Sequence, residues 1–226
     1  MTINILHRKD LPLGGFAGLK EHRLVMSPKL FGQHANPGTW PGIGNFVYLA
    51  DARFNPKGQT NIHDHKEIDV ISVMIEGSIN HQGSLEHGQE LEAGDVQVQR
   101  AGGEGFSHNE INPDDFSNRM IQLWVTPEQA GERAVYKLYK PLSGKVTRIY
   151  GGGNDQTDTL PSHTAIEIAS LKPSQKFVLD KPYLVYLTVG EGTSNNLDLV
   201  EGDLIKGDQL SFKANSDVTL IVVYEI

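Results

Sequence analysis

The chain has 226 residues, and its 20 Lys or Arg against 28 Asp or Glu give a formal net charge of −8 with histidine neutral. One large domain or two small ones fit that length, and 38% hydrophobic residues with 24 glycines is the composition of a globular chain rather than a disordered one. A net acidic chain without a long basic run is a poor candidate for holding nucleic-acid phosphates directly, and apolar runs such as Leu220 to Tyr224 fall far short of the ~20 residues of a membrane span.

Zero cysteines remove disulfides, thiolate metal sites and cysteine nucleophiles together, which leaves nine histidines as carriers of chemistry. The N-terminal residues have their charges after a short apolar patch and no apolar core of signal-peptide length, so a cytoplasmic address is the default expectation.

From the N-terminus onward, runs rich in Val, Ile, Tyr and Phe alternate with Gly, Pro, Asn and Asp clusters about ten residues apart, the pattern of a sandwich or barrel. Strands are predicted over 45–54, 69–76, 95–100 and 120–125. A short helix is predicted over Pro127 to Val135, weakened by Gly131. Further strands follow over 165–171, 183–189, 210–213 and 218–224.

The chain also echoes itself. Leu49 to Pro56 is matched by Ile166 to Pro173, Val73 to Gly77 by Thr188 to Gly192, Ala93-Gly94-Asp95 by Lys206-Gly207-Asp208, and Ile121 to Val125 by the last strand. One all-β module written twice is implied, with shorter loops in the second copy. The predicted domains are 1–140 and 141–226, joined near Gly151-Gly152-Gly153. That triple glycine lacks the Lys-Ser/Thr of a phosphate loop and reads as a connector.

Chemistry concentrates in the first copy. His63-Asp64-His65 and His108-Asn109-Glu110 each separate two ligand-type residues by one position, and in a strand such residues share a face. Two short strands can therefore present three imidazoles and a carboxylate to one point, a donor set suited to Fe, Mn, Co, Ni, Cu or Zn. His81 reads as a solvated hairpin position, and Phe46, Tyr48, Met74, Phe106 and Trp124 as core residues or pocket walls. The second copy has only His163 and cannot repeat a three-histidine site.

Residues 58–77, GQTNIHDHKEIDVISVMIEG, resemble the first cupin motif, and residues 94–109, GDVQVQRAGGEGFSHN, the second. With EGSINHQGS and MIQLWV, the string is similar to the pirin family of bicupins. The resemblance implies an all-β bicupin, two antiparallel β-barrel (jelly-roll) domains packed face to face with few short helices. It also implies one divalent metal, Fe(II) in that family, held by His63, His65, His108 and Glu110. Asp64 and Lys66 stand where Pro and Arg are usual, and Asp69 takes the place of the first-motif glutamate of many cupins.

The activity implied is that of a quercetin 2,3-dioxygenase acting on a small aromatic substrate and O₂, with Glu110 as catalytic base. The alternative is a non-catalytic, redox-sensing metal protein that acts through a protein partner. A sugar isomerase finds no cationic phosphate cluster beside the histidine pairs. Neither nucleic acid nor membrane is an expected partner, and a bicupin is expected to be a monomer, since one chain already supplies the interface that single cupins make by dimerising.

Overall fold

The computed structural model describes residues 3–226. Strand β1 (Asn4–His7) precedes a hairpin of β2 (Leu13–Phe16) and β3 (Leu19–Met26), a one-turn helix α1 (Pro28–Phe31) and β4 (Phe46–Phe54). Next come β5 (His63–His65), β6 (Asp69–Glu76), β7 (Ser78–Gly83), β8 (Glu90–Glu92), β9 (Val96–Arg100), β10 (Phe106–Ile111), β11 (Arg119–Val125) and β12 (Val135–Tyr139). The second half holds β13 (Val146–Gly152), β14 (Ser162–Leu171), β15 (Lys176–Leu179), β16 (Tyr183–Val189) and β17 (Glu191–Ser194). It ends with β18 (Leu197–Val200), β19 (Asp203–Gly207), β20 (Leu210–Ala214) and β21 (Val218–Glu225).

The eight predicted strands all form, with ends moved by a few residues. The helix predicted over Pro127 to Val135 does not. Gly131 turns the chain at φ 81°, its N–H donates to Glu67 Oε1 at 3.0 Å, and the Ala134 N–H donates to Glu104 Oε2 at 2.9 Å. Carboxylates of neighbouring loops thus take backbone donors that a helix would have used internally. No helix among the described residues is long and apolar enough to cross a membrane.

The chain divides into two compact units. One comprises Leu11–Pro41 and Asn45–Lys140; the other comprises Pro141–Ile226 with Gly42–Gly44 and the segment ending at Asp10. Each is a pair of antiparallel sheets. The first unit has a seven-stranded sheet, β12-β9-β6-β11-β4-β3-β2, and a four-stranded one, β5-β10-β7-β8. In the second the orders are β1-β19-β16-β21-β14-β13 and β15-β20-β17-β18. The orders correspond strand for strand, β5 with β15 up to β11 with β21, which is the internal repeat written in hydrogen bonds.

One correspondence crosses the chain. The place that β12 holds beside β9 is held beside β19 by β1, with Asn4 opposite Lys206 and His7 opposite Asp203. The first strand therefore lies with the second unit and not, as a boundary at residue 140 alone would have it, with the first. Without it the β19 edge would present unpaired backbone groups. Three further readings shift. Glu76 lies opposite Arg119 and Val189 opposite Thr219 at matching register irregularities, so the counterpart of Val73 to Gly77 is Tyr186 to Gly190 rather than Thr188 to Gly192. Gly151 and Gly152 lie inside β13 and are not a connector. The counterpart of Gly94-Asp95 is Gly202-Asp203 rather than Gly207-Asp208: Asp95 and Asp203 each accept from the N–H three residues before them, of Glu92 at 3.2 Å and Val200 at 2.8 Å.

Apolar alternation fills each unit, but the first also encloses the ion pairs Arg119–Asp51 and Arg100–Asp69. Arg119 on β11 donates through Nε and Nη2 to both oxygens of Asp51 on β4, at 2.9 and 2.6 Å, and is 0% exposed. Removing the carboxylate strands a buried guanidinium, so Asp51→Ala is expected to cost about 3–5 kcal/mol. Urea unfolding measures it, and a loss under about 1 kcal/mol would show that the pair carries no such weight.

Candidate metal centre

β5 and β10 pair antiparallel with His108 opposite His63 and Phe106 opposite His65. Alternation along β10 then buries Phe106, His108 and Glu110 on one face. On the other side of β10, β7 sets Gly83 opposite His108 and His81 opposite Glu110. A Cβ at residue 83 would lie 2.2 Å from the Ser107 carbonyl oxygen and 2.9 Å from His108 Cα, so only glycine lets the strands close at this point.

The imidazoles converge. His108 Nε2 lies 3.1 Å from His63 Nε2 and 3.2 Å from His65 Nε2. The ligand atoms of the three all fall within 4.8 Å of one another, the one such group among the described residues. His63 Nδ1–H donates to the Asn61 carbonyl at 2.9 Å, which leaves the Nε2 lone pair aimed at the other rings. Burial, helped by the His63 charge, pushes His65 down to about 4. Burial together with His65, His63 and His81 pushes His108 down to about 2. Neutral imidazole is the ligating form, and lone pairs that converge this closely offer a seat for a cation. With metal–nitrogen bonds of about 2.1 Å, neighbouring ligand nitrogens stand about 3.0–3.4 Å apart between right-angled and tetrahedral coordination, so the donor set fits a first-row divalent ion.

Glu110 lies outside that group of three, on the same β10 face. Its Oε1 accepts from Ser72 Oγ at 2.8 Å and Gln97 Nε2 at 3.0 Å, while its fully buried Oε2 has no hydrogen-bond partner. Burial pushes this carboxyl up to about 7, against the pull of the Ser72 and Gln97 hydrogen bonds. Asp69 points elsewhere, to Arg100 Nε at 3.0 Å.

His81 is not a solvated hairpin residue. It is 0% exposed, its ring lies 5.4 Å from that of His108, Nδ1–H donates to the Glu86 carbonyl, and Nε2 accepts from Gln99 Nε2 at 3.2 Å. The signal was available: in Ser78-Ile79-Asn80-His81, the histidine shares the face of Ile79. Phe46 and Met74 are core, Phe106 packs on His65 and His108, and Tyr48 and Trp124 stack at 4.5 Å.

The pirin family model matches residues 23–125. A pirin-like protein of Caulobacter vibrioides is 30% identical over 175 residues, 71% of this chain and 75% of that one. The chain belongs to the pirin family. A quercetin 2,3-dioxygenase of Escherichia coli K12 is 33% identical over 172 residues, 71% of this chain and 73% of that protein. The bacterial pirin YhhW of Escherichia coli, solved in complex with nickel(II), superposes with a TM-score of 0.84 over 99% of both chains at 18% identity, a likeness of fold.

In this pirin-family chain, His63 and His65 open onto a cavity of about 390 Å³ whose walls include Phe16, Glu21, Arg23, Tyr48 and Trp124. Among the described residues the second unit has no equivalent centre. Strand register puts Leu179, Leu210 and Phe212 where the first unit has His63, His108 and Glu110. The strand corresponding to β10 is thus retained as β20, and apolar side chains fill its inner face.

Acid should unsettle the metal-free protein. The unfolded chain protonates His65 and His108 near 6.5, the folded one only near 4 and 2, so the stability present above pH 6.5 is lost as pH falls. Glu110 acts in the opposite sense between its unfolded 4.5 and folded 7, but as one group against two. The melting temperature is expected to drop from pH 6.5 to 4.5; a flat or rising trend would contradict these burial effects.

Proposed function

We propose that His63, His65, His108 and Glu110 hold one divalent transition-metal ion, Fe(II) as the working ion, and that the chain is a dioxygenase of the quercetin 2,3-dioxygenase type. The observation that carries this reading is the convergence of three imidazole Nε2 atoms, those of His65 and His108 buried, beside an aromatic-walled cavity. The relatives named quercetin 2,3-dioxygenase supply the reaction class, and the nickel complex of YhhW supports the metal.

The ion would supply a Lewis-acid seat for the substrate's enol oxygen and a path for electrons to O₂. The chain supplies the rest. Ser72 and Gln97 pin one Glu110 oxygen and leave the other, buried and without a hydrogen-bond partner, to take the proton of a flavonol 3-hydroxyl. Tyr48 and Trp124 give the flat ring an aromatic wall. Dioxygen then adds across the heterocycle, which opens with loss of one carbon as CO.

The cavity beside the histidines gives a small-molecule substrate a seat, and with the relatives' names this favours the enzymatic reading. An anaerobic titration of metal-loaded protein with quercetin tests the step before oxygen. Deprotonation at the site is expected to shift the flavonol absorption band to longer wavelength with one-to-one stoichiometry. No shift at saturating metal would overturn the reading.

A further inference from the structure

Glu21 and Arg23 are charged residues where strand periodicity calls for apolar ones. On β3 they alternate with Leu19, itself 7% exposed, and so share the face that turns into the cavity. A register irregularity between Arg23 and Val25 in the β3–β4 pairing re-aims this stretch, as bulges beside active sites do. Glu21 is 5% exposed. Arg23 Nε donates to its Oε1 at 2.7 Å, and Tyr48 Oη–H donates to its Oε2 at 3.1 Å. The Arg23 side chain is 31% exposed, and the residue is among those that line the cavity.

A buried ion pair is weak as a source of stability, because desolvation offsets most of the attraction. Its place on the wall of a ligand cavity gives it another use. Each Glu21 oxygen keeps accepting capacity after meeting Arg23 and Tyr48, and the planar guanidinium keeps donors that Glu21 does not engage. The cavity therefore offers an acceptor and a donor side by side, at zero net charge. Two neighbouring hydroxyls on one ring match it, one donating to Glu21 and one accepting from Arg23. A ring carboxylate would meet the Glu21 carboxylate at short range and be repelled.

We infer that Glu21 and Arg23, with Tyr48 holding Glu21 in place, are the specificity element of this cavity and select an uncharged aromatic substrate bearing vicinal hydroxyls remote from the reacting enol. The inference rests on the proposed flavonol reading and goes beyond it by naming the part of the substrate that is recognised and the residues that do so.

The test is equilibrium binding to metal-loaded full-length protein under anaerobic conditions, read by tryptophan fluorescence. The probes are quercetin and galangin, the same flavonol without the two vicinal hydroxyls of the pendant ring. Two hydrogen bonds to charged groups are expected to favour quercetin by about tenfold or more. In Glu21→Gln, which keeps the shape and loses the charge, and independently in Arg23→Met, that ratio is expected to fall towards one. A wild-type ratio near one, or a ratio unchanged in both variants, would overturn the role of the pair while leaving the flavonol reading standing. Failure of wild type to bind either flavonol would overturn both. Circular dichroism spectra matching wild type establish that the variants are folded.

Discussion

His65→Ala and His108→Ala are each expected to abolish stoichiometric metal binding while the protein stays folded. Both rings are buried, and both Nε2 atoms point to one place, 3.2 Å apart. Each substitution removes one of three imidazoles that no other described residue can replace, since His63, His65 and His108 are the one cluster of this kind. The affinity loss should exceed the ~10–100-fold typical of a residue that merely supports a ligand. Folding should survive because β5 is only three residues long and the sheets are held by apolar burial elsewhere. Metal analysis of protein purified without chelators reads the result. His163→Ala, in the other unit, is the control and should keep one ion per chain. Full occupancy in both variants, or loss of metal in His163→Ala, would show that the ligands lie elsewhere.

Glu110→Gln is expected to lower flavonol turnover by ~100-fold or more, the usual weight of a general base. The amide keeps the shape and can still meet Ser72, but it cannot take a proton. Its NH₂ would sit beside the Gln97 Nε2 donor or at the buried position where Oε2 has no partner. Metal content should fall less than in the histidine variants, since three imidazoles remain. Unchanged turnover with metal retained would leave Glu110 without a role as base.

Most of the site was legible because it is local. The pairs His63/His65 and His108/Glu110 need only period-two alternation to face one way, and β5 and β10 do pair. The rest depends on which strands become neighbours. His81 looks like a hairpin residue until β7 lies on β10 opposite Glu110. Glu21 and Arg23 carry no motif, and their place on the cavity wall follows from the β3–β4 register. Composition also gave no hint that β1, at the far end of the chain, pairs with β19, because strand exchange between units leaves no local mark. The helix expected over Pro127 to Val135 failed for a related reason: its donors are claimed by Glu67 and Glu104, whose proximity is tertiary.

The reaction itself is tested most directly by gas stoichiometry. Metal-reconstituted protein is given quercetin in air-saturated buffer while O₂ uptake and CO release are followed together. One CO released and one O₂ consumed per quercetin, with both lost in His108→Ala, is the expected result. Metal-replete protein that binds quercetin but neither consumes O₂ nor releases CO would contradict it.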